Sequence, residues 1–279
     1  MAHVIALDIG GTNIRAAIIN EKYRIIKVIR KATLTGSVDL FLKQVVDIIE
    51  DLDYKPYAPQ AIVMGVPGRV RKDGFIEALP NIRIENIPLR EYIEYYFKIP
   101  AFVKNDAEMA GLAEGVVGQG ASYFSSFFIT ISTGIGGCYI ENKQIKQVSN
   151  EIGHTLFPYQ GQYYELEKIA SGSGIVRLAA INGITIEHSS HMFERMRIND
   201  LAIFPVFQDW LKLISDFLQY VQKTFEPKVI IFTGGVMKSA DVFMDQLKLK
   251  NPNLNLAMAK FDQDAGLIGS ACYGFLKLK

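Results

Sequence analysis

Short apolar runs separated by turn residues predict that the chain begins with β-strands. Residues 3–8 have the pattern of a buried strand, and residues 13–19 and 24–32 follow as two more, with a polar turn between them. The succession of strand, glycine turn, strand and polar turn returns at residues 127–143. One such module in each half of the chain indicates an internal duplication.

Segments with helical periodicity lie between the predicted strands. Ser37 is a residue type that caps helices, and apolar residues at helical spacing follow it as far as Leu52. The patterns predict further helices at 88–98, 107–115, 164–181, 200–225, 239–249 and 264–279, and further strands at 61–66, 101–104, 127–132, 138–140 and 228–232. Gly266, Gly269 and Ala271 in the last helix permit close packing. Alternating strands and helices predict an α/β fold.

Composition and length agree with a globular protein of two lobes. Of the 279 residues, 49% are hydrophobic and 21% charged, whereas a disordered chain is poorer in apolar residues. A single core stops growing near this length, which favours two lobes. The net charge of +1 disfavours a surface for nucleic acid or anionic membranes.

Two cysteines and the absence of targeting signals predict a cytoplasmic protein. Cys138 and Cys272 are too few for a disulfide framework, which suggests a reducing compartment. The N-terminus lacks the basic start and the cleavage site of a signal peptide. The most apolar later stretch contains Ser, Thr and Gly, a mixture that suits buried strands better than a membrane helix.

The segment DIGGTNIR at residues 8–15 carries the most informative chemistry. The amides of Gly10 and Gly11 can approach an anion closely because glycine has no Cβ, and the Thr12 hydroxyl adds a donor to phosphate oxygens. Asp8 would repel phosphate unless a cation lay between them, so it is best placed to hold Mg²⁺ through water. For one isolated turn, a hairpin with an incidental aspartate would be the better interpretation.

Two further glycine turns favour nucleotide binding. The turn from Thr133 to Gly137 follows one predicted strand, and Thr233-Gly234-Gly235 follows another. Three strand ends rich in Thr and Gly fit a nucleotide held in a cleft between two lobes. None of the turns has the Walker pattern or the Rossmann GxGxxG pattern.

These motifs resemble those of a known superfamily. Asp8, Gly10-Gly11-Thr12 and Arg15 resemble the first phosphate motif of the sugar-kinase, actin and heat-shock ATPases. More narrowly, the chain resembles the ROK family of bacterial sugar kinases and sugar-responsive repressors. The resemblance continues in order through Pro67-Gly68, Leu79-Pro80-Asn81, Asn105-Asp106-Ala107, Thr130 to Gly137, Glu151-Ile152-Gly153-His154 and Phe232 to Gly235.

The resemblance implies a two-lobed actin-like ATPase, a ribonuclease H-like duplication with a nucleotide and sugar cleft between the lobes. We expect an N-terminal lobe of residues 1–105, completed by the helix at 264–279, and a larger C-terminal lobe of residues 106–263. The implied cofactors are ATP and Mg²⁺. The implied nucleotide-binding residues are Asp8, Gly10, Gly11, Thr12, Arg15, Thr133, Gly134, Gly234 and Gly235.

Asp106 is the candidate catalytic base. It follows a predicted strand and precedes a predicted helix, and from that spacing alone a helix cap is the better interpretation. The resemblance implies instead that Asp106 takes the proton of the sugar 6-hydroxyl, which attacks the γ-phosphate of ATP. It also implies that Asn105 binds sugar. Glu108 stands where the family usually has Asn.

The resemblance adds sugar-binding residues elsewhere in the chain. Gly68 and Asn81 correspond to sugar-side loops of the family. Glu151 and His154 correspond to a motif that contacts sugar hydroxyls, with which carboxylates and imidazoles hydrogen-bond well. Glu167 takes the place of a further sugar-binding glutamate, and Glu165 is the alternative.

The family's zinc ligands are missing from this chain. In the ROK family the histidine of the motif at His154 also binds zinc, together with three cysteines. Residues 155–166 contain no cysteine, and one histidine cannot supply the roughly four ligands that zinc needs. We therefore expect no zinc site. Phe157 and the tyrosines of this segment are expected to form an apolar core in its place.

The sequence thus favours an ATP-dependent hexose kinase acting on glucose. N-acetylmannosamine is the alternative sugar, suggested by Arg69 beside Gly68 and by the cysteine-free segment. A sugar-binding ROK protein without turnover is a further alternative. A repressor is disfavoured because the phosphate motif begins eight residues from Met1. We expect a homodimer, with the apolar stripe at 203–221 forming either its interface or core.

Overall fold

The computed structural model describes residues 1–146 and 152–278. The chain divides into two compact units. The first unit comprises Met1–Val116 together with the C-terminal segment from Phe261, and the second unit comprises Val117–Lys260. Each unit has its own sheet and its own hydrophobic core.

The first unit is built on a mixed five-stranded sheet. Its elements up to residue 117 are β1 (His3–Ile9), β2 (Asn13–Asn20), β3 (Ile25–Ala32), α1 (Val38–Glu50), β4 (Ile62–Val66), β5 (Arg69–Val70), β6 (Ile76–Leu79), β7 (Ile84–Ile87), α2 (Leu89–Phe97), β8 (Ala101–Asn105) and α3 (Asp106–Val117). The main sheet has the order β3-β2-β1-β4-β8, and β5, β6 and β7 form a small antiparallel sheet.

The second unit contains the strands β9 to β15 and the helices α4 to α8. They are β9 (Ser125–Ile131), β10 (Ile135–Glu141), β11 (Gln144–Lys146), β12 (Leu156–Tyr159), β13 (Gln162–Glu165), α4 (Glu167–Ala170), α5 (Gly172–Ile181), α6 (Ser189–Arg197), α7 (Phe204–Phe225), β14 (Ile230–Thr233), α8 (Ala240–Lys250) and β15 (Leu256–Met258). The sheet has the order β11-β10-β9-β14-β15, and β12 and β13 form a hairpin. The last helix, α9 (Ala265–Lys277), belongs to the first unit.

The two sheets repeat one topology. In the first, β1 pairs antiparallel with β2 and parallel with β4, which pairs parallel with β8. In the second, β9 pairs antiparallel with β10 and parallel with β14, which pairs parallel with β15. The internal duplication predicted from the sequence is therefore confirmed at the level of strand order.

Strand β1 is apolar from Val4 to Leu7 because helices cover both faces of its sheet. Ile5, Leu7 and Ile9 are buried in one cluster with residues of α1. Val4 and Ala6, which alternate with them, are buried in a second cluster with residues of α9. Successive side chains of a strand point to opposite faces, so a strand covered on both sides is a continuous apolar run.

The core of the second unit forms around α7. Trp210 is fully buried among Phe193, Phe207 and Phe243, and its indole N–H donates to the carbonyl of Ala170 at 2.9 Å. The apolar stripe predicted at 203–221 is therefore core. No helix among residues 1–146 and 152–278 is both long and apolar enough to span a bilayer.

The helix predicted at 164–181 is wrong in its bounds. Residues 164 and 165 end β13, and the helical part is split into α4 and α5 at Ser171. The Ser171 side chain accepts a hydrogen bond from the Gly174 amide at 3.0 Å and so caps α5. Ser171 has an extended backbone, which ends α4, and its side chain caps the new helix α5.

The second glycine turn is shorter than predicted. Gly136 and Gly137 lie within β10 and not in the turn, which is confined to residues 132–134. A Cβ at Gly137 would lie 2.6 Å from the carbonyl oxygen of Phe128 on the neighbouring strand. Glycine is required there for close strand packing and not for a turn.

Candidate active site

The first unit brings Asp8 and Asp106 to one edge of its sheet. Strands β1, β4 and β8 are parallel, so their carboxyl ends lie at the same edge. Asp8 is the penultimate residue of β1, and Asp106 directly follows β8. Both side chains are partly buried.

Burial disfavours the charged form of both carboxylates. It raises the pKa of Asp8, although the nearby charge of Arg15 acts in the opposite direction. Burial also raises the pKa of Asp106 to about 6, and the charge of Asp8 adds to that effect. Carboxylate oxygens are the ligands that a hard divalent cation prefers, so Asp8 fits the predicted role of holding Mg²⁺ through water.

Asn105, and not Asp106, provides the main cap of α3. Its side-chain oxygen accepts hydrogen bonds from the amides of Ala107 at 2.9 Å and Glu108 at 3.3 Å. The side-chain amide of Asn105 also donates to the carbonyl of Gly68 at 3.3 Å. Asp106 accepts a bond from the adjacent Ala107 amide at 2.8 Å. The capping role that spacing alone favoured for Asp106 therefore falls mainly to its neighbour.

The first glycine turn contacts the predicted sugar loop. The turn is closed by a bond from the Gly10 amide to the Asn13 carbonyl at 2.8 Å. A Cβ at Gly11 would lie 2.7 Å from the Cβ of Asn81, so glycine is required for this approach. The hydroxyl of Thr33 donates to the Gly10 carbonyl at 2.7 Å and fixes the turn from outside. Nothing in the sequence pattern indicates this role for Thr33.

Gly68 lies close to the backbone of strand β6. A Cβ on this residue would overlap the carbonyl oxygen of Ala78. Contacts thus join Gly68 to Asn105 and Gly11 to Asn81, within the same unit as the two carboxylates.

Arg15 and Thr12 occupy different environments. The Arg15 guanidinium donates to the carbonyl of Gln263 and to the carboxylate of Asp264. Thr12 is exposed, and its carbonyl accepts a bond from the Thr33 amide at 2.9 Å. The sequence indicated Arg15 as a nucleotide-binding residue, but it did not indicate this ion pair.

The second unit holds the turn at Thr133 through two serines. The hydroxyl of Ser171 donates to the Thr133 carbonyl at 2.8 Å, and the hydroxyl of Ser173 donates to the same oxygen. A Cβ at Gly134 would lie 2.9 Å from Oε2 of Glu167. The predicted phosphate turn and a predicted sugar-binding glutamate therefore lie side by side, and neither serine was singled out by the sequence.

The third glycine turn follows β14. Gly234 has φ +106°, a conformation that favours glycine, and a Cβ there would overlap the carbonyl of Ile131 on β9. The space around Gly235 is open. Thr233 and Thr130 are register partners, so this turn leaves the sheet beside the end of β9.

His154 and two glutamates form a cluster in the second unit. Nδ1 of His154 lies 3.2 Å from Oε1 of Glu165. Ligand atoms of His154, Glu165 and Glu167 all lie within 4.8 Å of one another and could hold a cation. The absence of zinc remains a prediction, and Glu151 lies outside the described residues.

The cysteine-free segment forms the hairpin of β12 and β13. Phe157 is buried and makes edge contacts with Phe217 and Tyr220. The hydroxyl of Tyr159 donates to Asp209 at 2.7 Å and accepts from Asn182 at 2.6 Å. Apolar packing by Phe157 agrees with the expectation for this segment, whereas the exposed Tyr163 does not contribute to it.

The comparison with solved structures shows the actin-like fold that the motifs predicted. A ROK family glucokinase from Streptomyces griseus, solved in complex with glucose and AMPPNP, superposes with a TM-score of 0.73 at 24% identity, covering 97% of this chain and 98% of that one. The ROK family profile matches residues 4–273. The chain therefore belongs to the ROK family, as its motifs predicted.

Curated relatives in the family carry two different enzyme names. A glucokinase of Halalkalibacterium halodurans is 26% identical over 95% of this chain and 92% of its own length. An N-acetylmannosamine kinase of Haemophilus influenzae is 27% identical over 96% of this chain and 93% of its own length. The chain is thus about equally similar to a kinase of glucose and to a kinase of N-acetylmannosamine.

Proposed function

We propose that this protein is an ATP-dependent sugar kinase that phosphorylates the 6-hydroxyl of a hexose. The observation that carries the proposal is Asp106, a partly buried carboxylate with a pKa raised to about 6, beside Asp8 at the carboxyl end of parallel strands. A base with a pKa near the working pH is well suited to general base catalysis.

In the proposed reaction, Asp106 accepts the proton of the sugar hydroxyl. The hydroxyl oxygen forms a bond to the γ-phosphorus of ATP, the bond to the bridging oxygen breaks, and ADP leaves. Phosphoryl transfer is catalysed mainly by positioning the reactants and by neutralising the charge of the phosphates. Mg²⁺ bound to the nucleotide would neutralise that charge. Asp8 would hold the ion through water.

The remaining predicted residues are assigned by resemblance to the family. The turn of Gly10, Gly11 and Thr12 offers amides and a hydroxyl to phosphate oxygens. Thr133 and Gly134 are proposed for the same task, and Gly234 and Gly235 for the adenosine. Arg15 is also proposed to bind the nucleotide, and its bonds to Gln263 and Asp264 fix its position.

The sugar contacts proposed from the same resemblance are Gly68, Asn81, Asn105, Glu151, His154 and Glu167. The oxygen of Asn105 already caps α3, so this residue also fixes the position of Asp106. Use of ATP is supported by the AMPPNP in the Streptomyces griseus glucokinase.

Glucose is proposed as the substrate and N-acetylmannosamine as its alternative. The glucokinase and the N-acetylmannosamine kinase are about equally similar to this chain. We also propose a cytoplasmic homodimer that needs no nucleic acid or membrane. Light scattering coupled to size-exclusion chromatography tests the dimer, and a monomeric mass would contradict it.

A coupled assay for ADP release with a panel of sugars tests the proposal. The parent protein should release ADP with at least one hexose or amino sugar, and Asp106→Asn should lose most of this turnover while still binding sugar. Sugar binding without ADP release from the parent protein would favour the alternative, a ROK protein without turnover.

A further inference from the structure

Gly266, in the first turn of α9, lies directly against the carboxylate of Asp8. A Cβ on Gly266 would lie 2.8 Å from both Cγ and Oδ1 of Asp8, and 3.2 Å from Oδ2. These are the three nearest atoms, so the carboxylate rests on the face of the backbone that glycine leaves open. The φ of Gly266 is outside the left-handed region, so the glycine supplies space and not conformational freedom.

Helix α9 would lose its closest packing contacts if it moved away to make room for a side chain. A Cβ at Gly269, one turn later, would overlap the carbonyl oxygen of Met109 on α3. Ser270 donates to the carbonyl of Leu7 on β1 at 3.4 Å. The helix is thus packed backbone to backbone on the elements that carry both candidate carboxylates.

Arg15 ties the start of α9 to the strand pair that carries Asp8. Arg15 and Asp8 are direct partners across β1 and β2. Asp264 occupies the cap position of α9, yet its side chain makes no capping bond and instead pairs with Arg15. The first turn of α9 is therefore fixed relative to Asp8 by an ion pair as well as by packing.

We propose that Gly266 is a positioning residue for Asp8. The carboxylate packs against the backbone of Gly266, on the side where other residues have a Cβ. This packing keeps Asp8 in the orientation in which it would bind a Mg²⁺-bound water. Any side chain at position 266 would turn the carboxylate away, because the helix is fixed and the end of the Asp8 side chain is the part that can move. This inference rests on the proposed role of Asp8 in the kinase.

The first test is the Mg²⁺ dependence of Gly266→Ala. We expect the Mg²⁺ concentration for half-maximal ADP binding, measured by calorimetry, to rise roughly 10-fold or more, as for other residues that orient a metal ligand. The affinity for ADP without Mg²⁺ should not change. Gly274→Ala is the matched control on the same helix, since its Cβ would meet only the side chains of Val4 and Val63, and its Mg²⁺ dependence should equal that of the parent.

The second test is a double-mutant cycle with Asp8→Ala, read from thermal unfolding midpoints. Gly266→Ala should lower the midpoint of the parent protein, because Asp8 must leave its place. In the Asp8→Ala background the clashing atoms are gone, and the same change should leave the midpoint unchanged or raise it. Equal effects in both backgrounds would overturn the proposal.

The two tests separate this inference from the proposed function. Mg²⁺-dependent ADP binding that Gly266→Ala does not alter would overturn only the role of Gly266. A parent protein whose ADP binding is independent of Mg²⁺ would overturn the proposed role of Asp8 and, with it, that of Gly266. The kinase activity itself would be overturned by a parent protein that releases no ADP with any sugar of the panel.

Discussion

Asp106→Asn is expected to stabilise the folded protein at neutral pH while removing its activity. The pKa of Asp106 is raised from 3.8 to about 6, chiefly by burial. A raised pKa means that the folded state favours the protonated carboxyl. The stability that this neutral form contributes is fully present below about pH 4 and is lost as the pH rises through 6.

The size of the effect follows from that shift. The difference between 3.8 and about 6 corresponds to about 3 kcal/mol once Asp106 is charged. Asparagine has nearly the same shape, stays neutral, and its oxygen can still accept the bond from the Ala107 amide. The free energy of unfolding should therefore rise by up to about 3 kcal/mol at pH 8, and this gain should vanish near pH 4.

Urea unfolding at pH 8 and near pH 4, beside the ADP-release assay, measures both consequences. Turnover should fall by about 10² to 10⁴, the usual contribution of a general base. The control is Asp39→Asn, an exposed aspartate in the first turn of α1, which should cost about 0.3 to 1 kcal/mol through the helix dipole. An Asp106→Asn protein that is less stable than the parent at pH 8 would refute the reasoning.

Three further predictions follow from the site. Because Asp106 must be deprotonated to act, kcat/KM should fall about tenfold per pH unit below pH 6; a pH profile that stays flat to pH 4.5 would exclude Asp106 as the base. Tyr159→Phe should lower the free energy of unfolding by about 1 to 3 kcal/mol, because it removes a partner of Asp209 and Asn182; urea unfolding that matches the parent would contradict this. Metal analysis of the purified protein should find zinc well below one ion per chain, and stoichiometric zinc bound near His154 would show that the prediction is wrong.

Local patterns were enough to predict the main sheets and several helices. Ser37 caps α1 as predicted, with its side chain accepting from the Leu40 amide at 3.3 Å. The strands on both sides of the first glycine turn lie within one residue of their predicted bounds. Such features depend on residues that are neighbours in the sequence, which is why periodicity and turn chemistry reveal them.

Features set by distant contacts could not be predicted in this way. The ion pair of Arg15 and Asp264 joins residues 249 positions apart. Gly137 had the pattern of a turn residue, but its role depends on the carbonyl of Phe128 across the sheet. The hairpin of β12 and β13 has no strong alternation, and it is fixed by Phe157 and Tyr159 packing on other elements.

The candidate site was predictable in its residue types but not in their individual contacts. The adjacent residues Asn105 and Asp106 are both common caps, and spacing favoured Asp106, whereas Asn105 makes most of the capping bonds of α3. The bond of Asn105 to Gly68 shows why the asparagine takes that role. Likewise, two neighbouring glutamates were open for the sugar site, and the structure pairs Glu165 with His154 while Glu167 lies against Gly134.

Phosphorus NMR of the reaction mixture tests the central claim most directly. The protein is incubated with ATP, Mg²⁺ and each sugar of the panel in turn, and the signals of ATP, ADP and sugar phosphate are followed over time. Our account predicts that, for at least one hexose or amino sugar, a 6-phosphate signal grows in equal amount with ADP. ADP formed with inorganic phosphate only, or no change with any sugar, would contradict it.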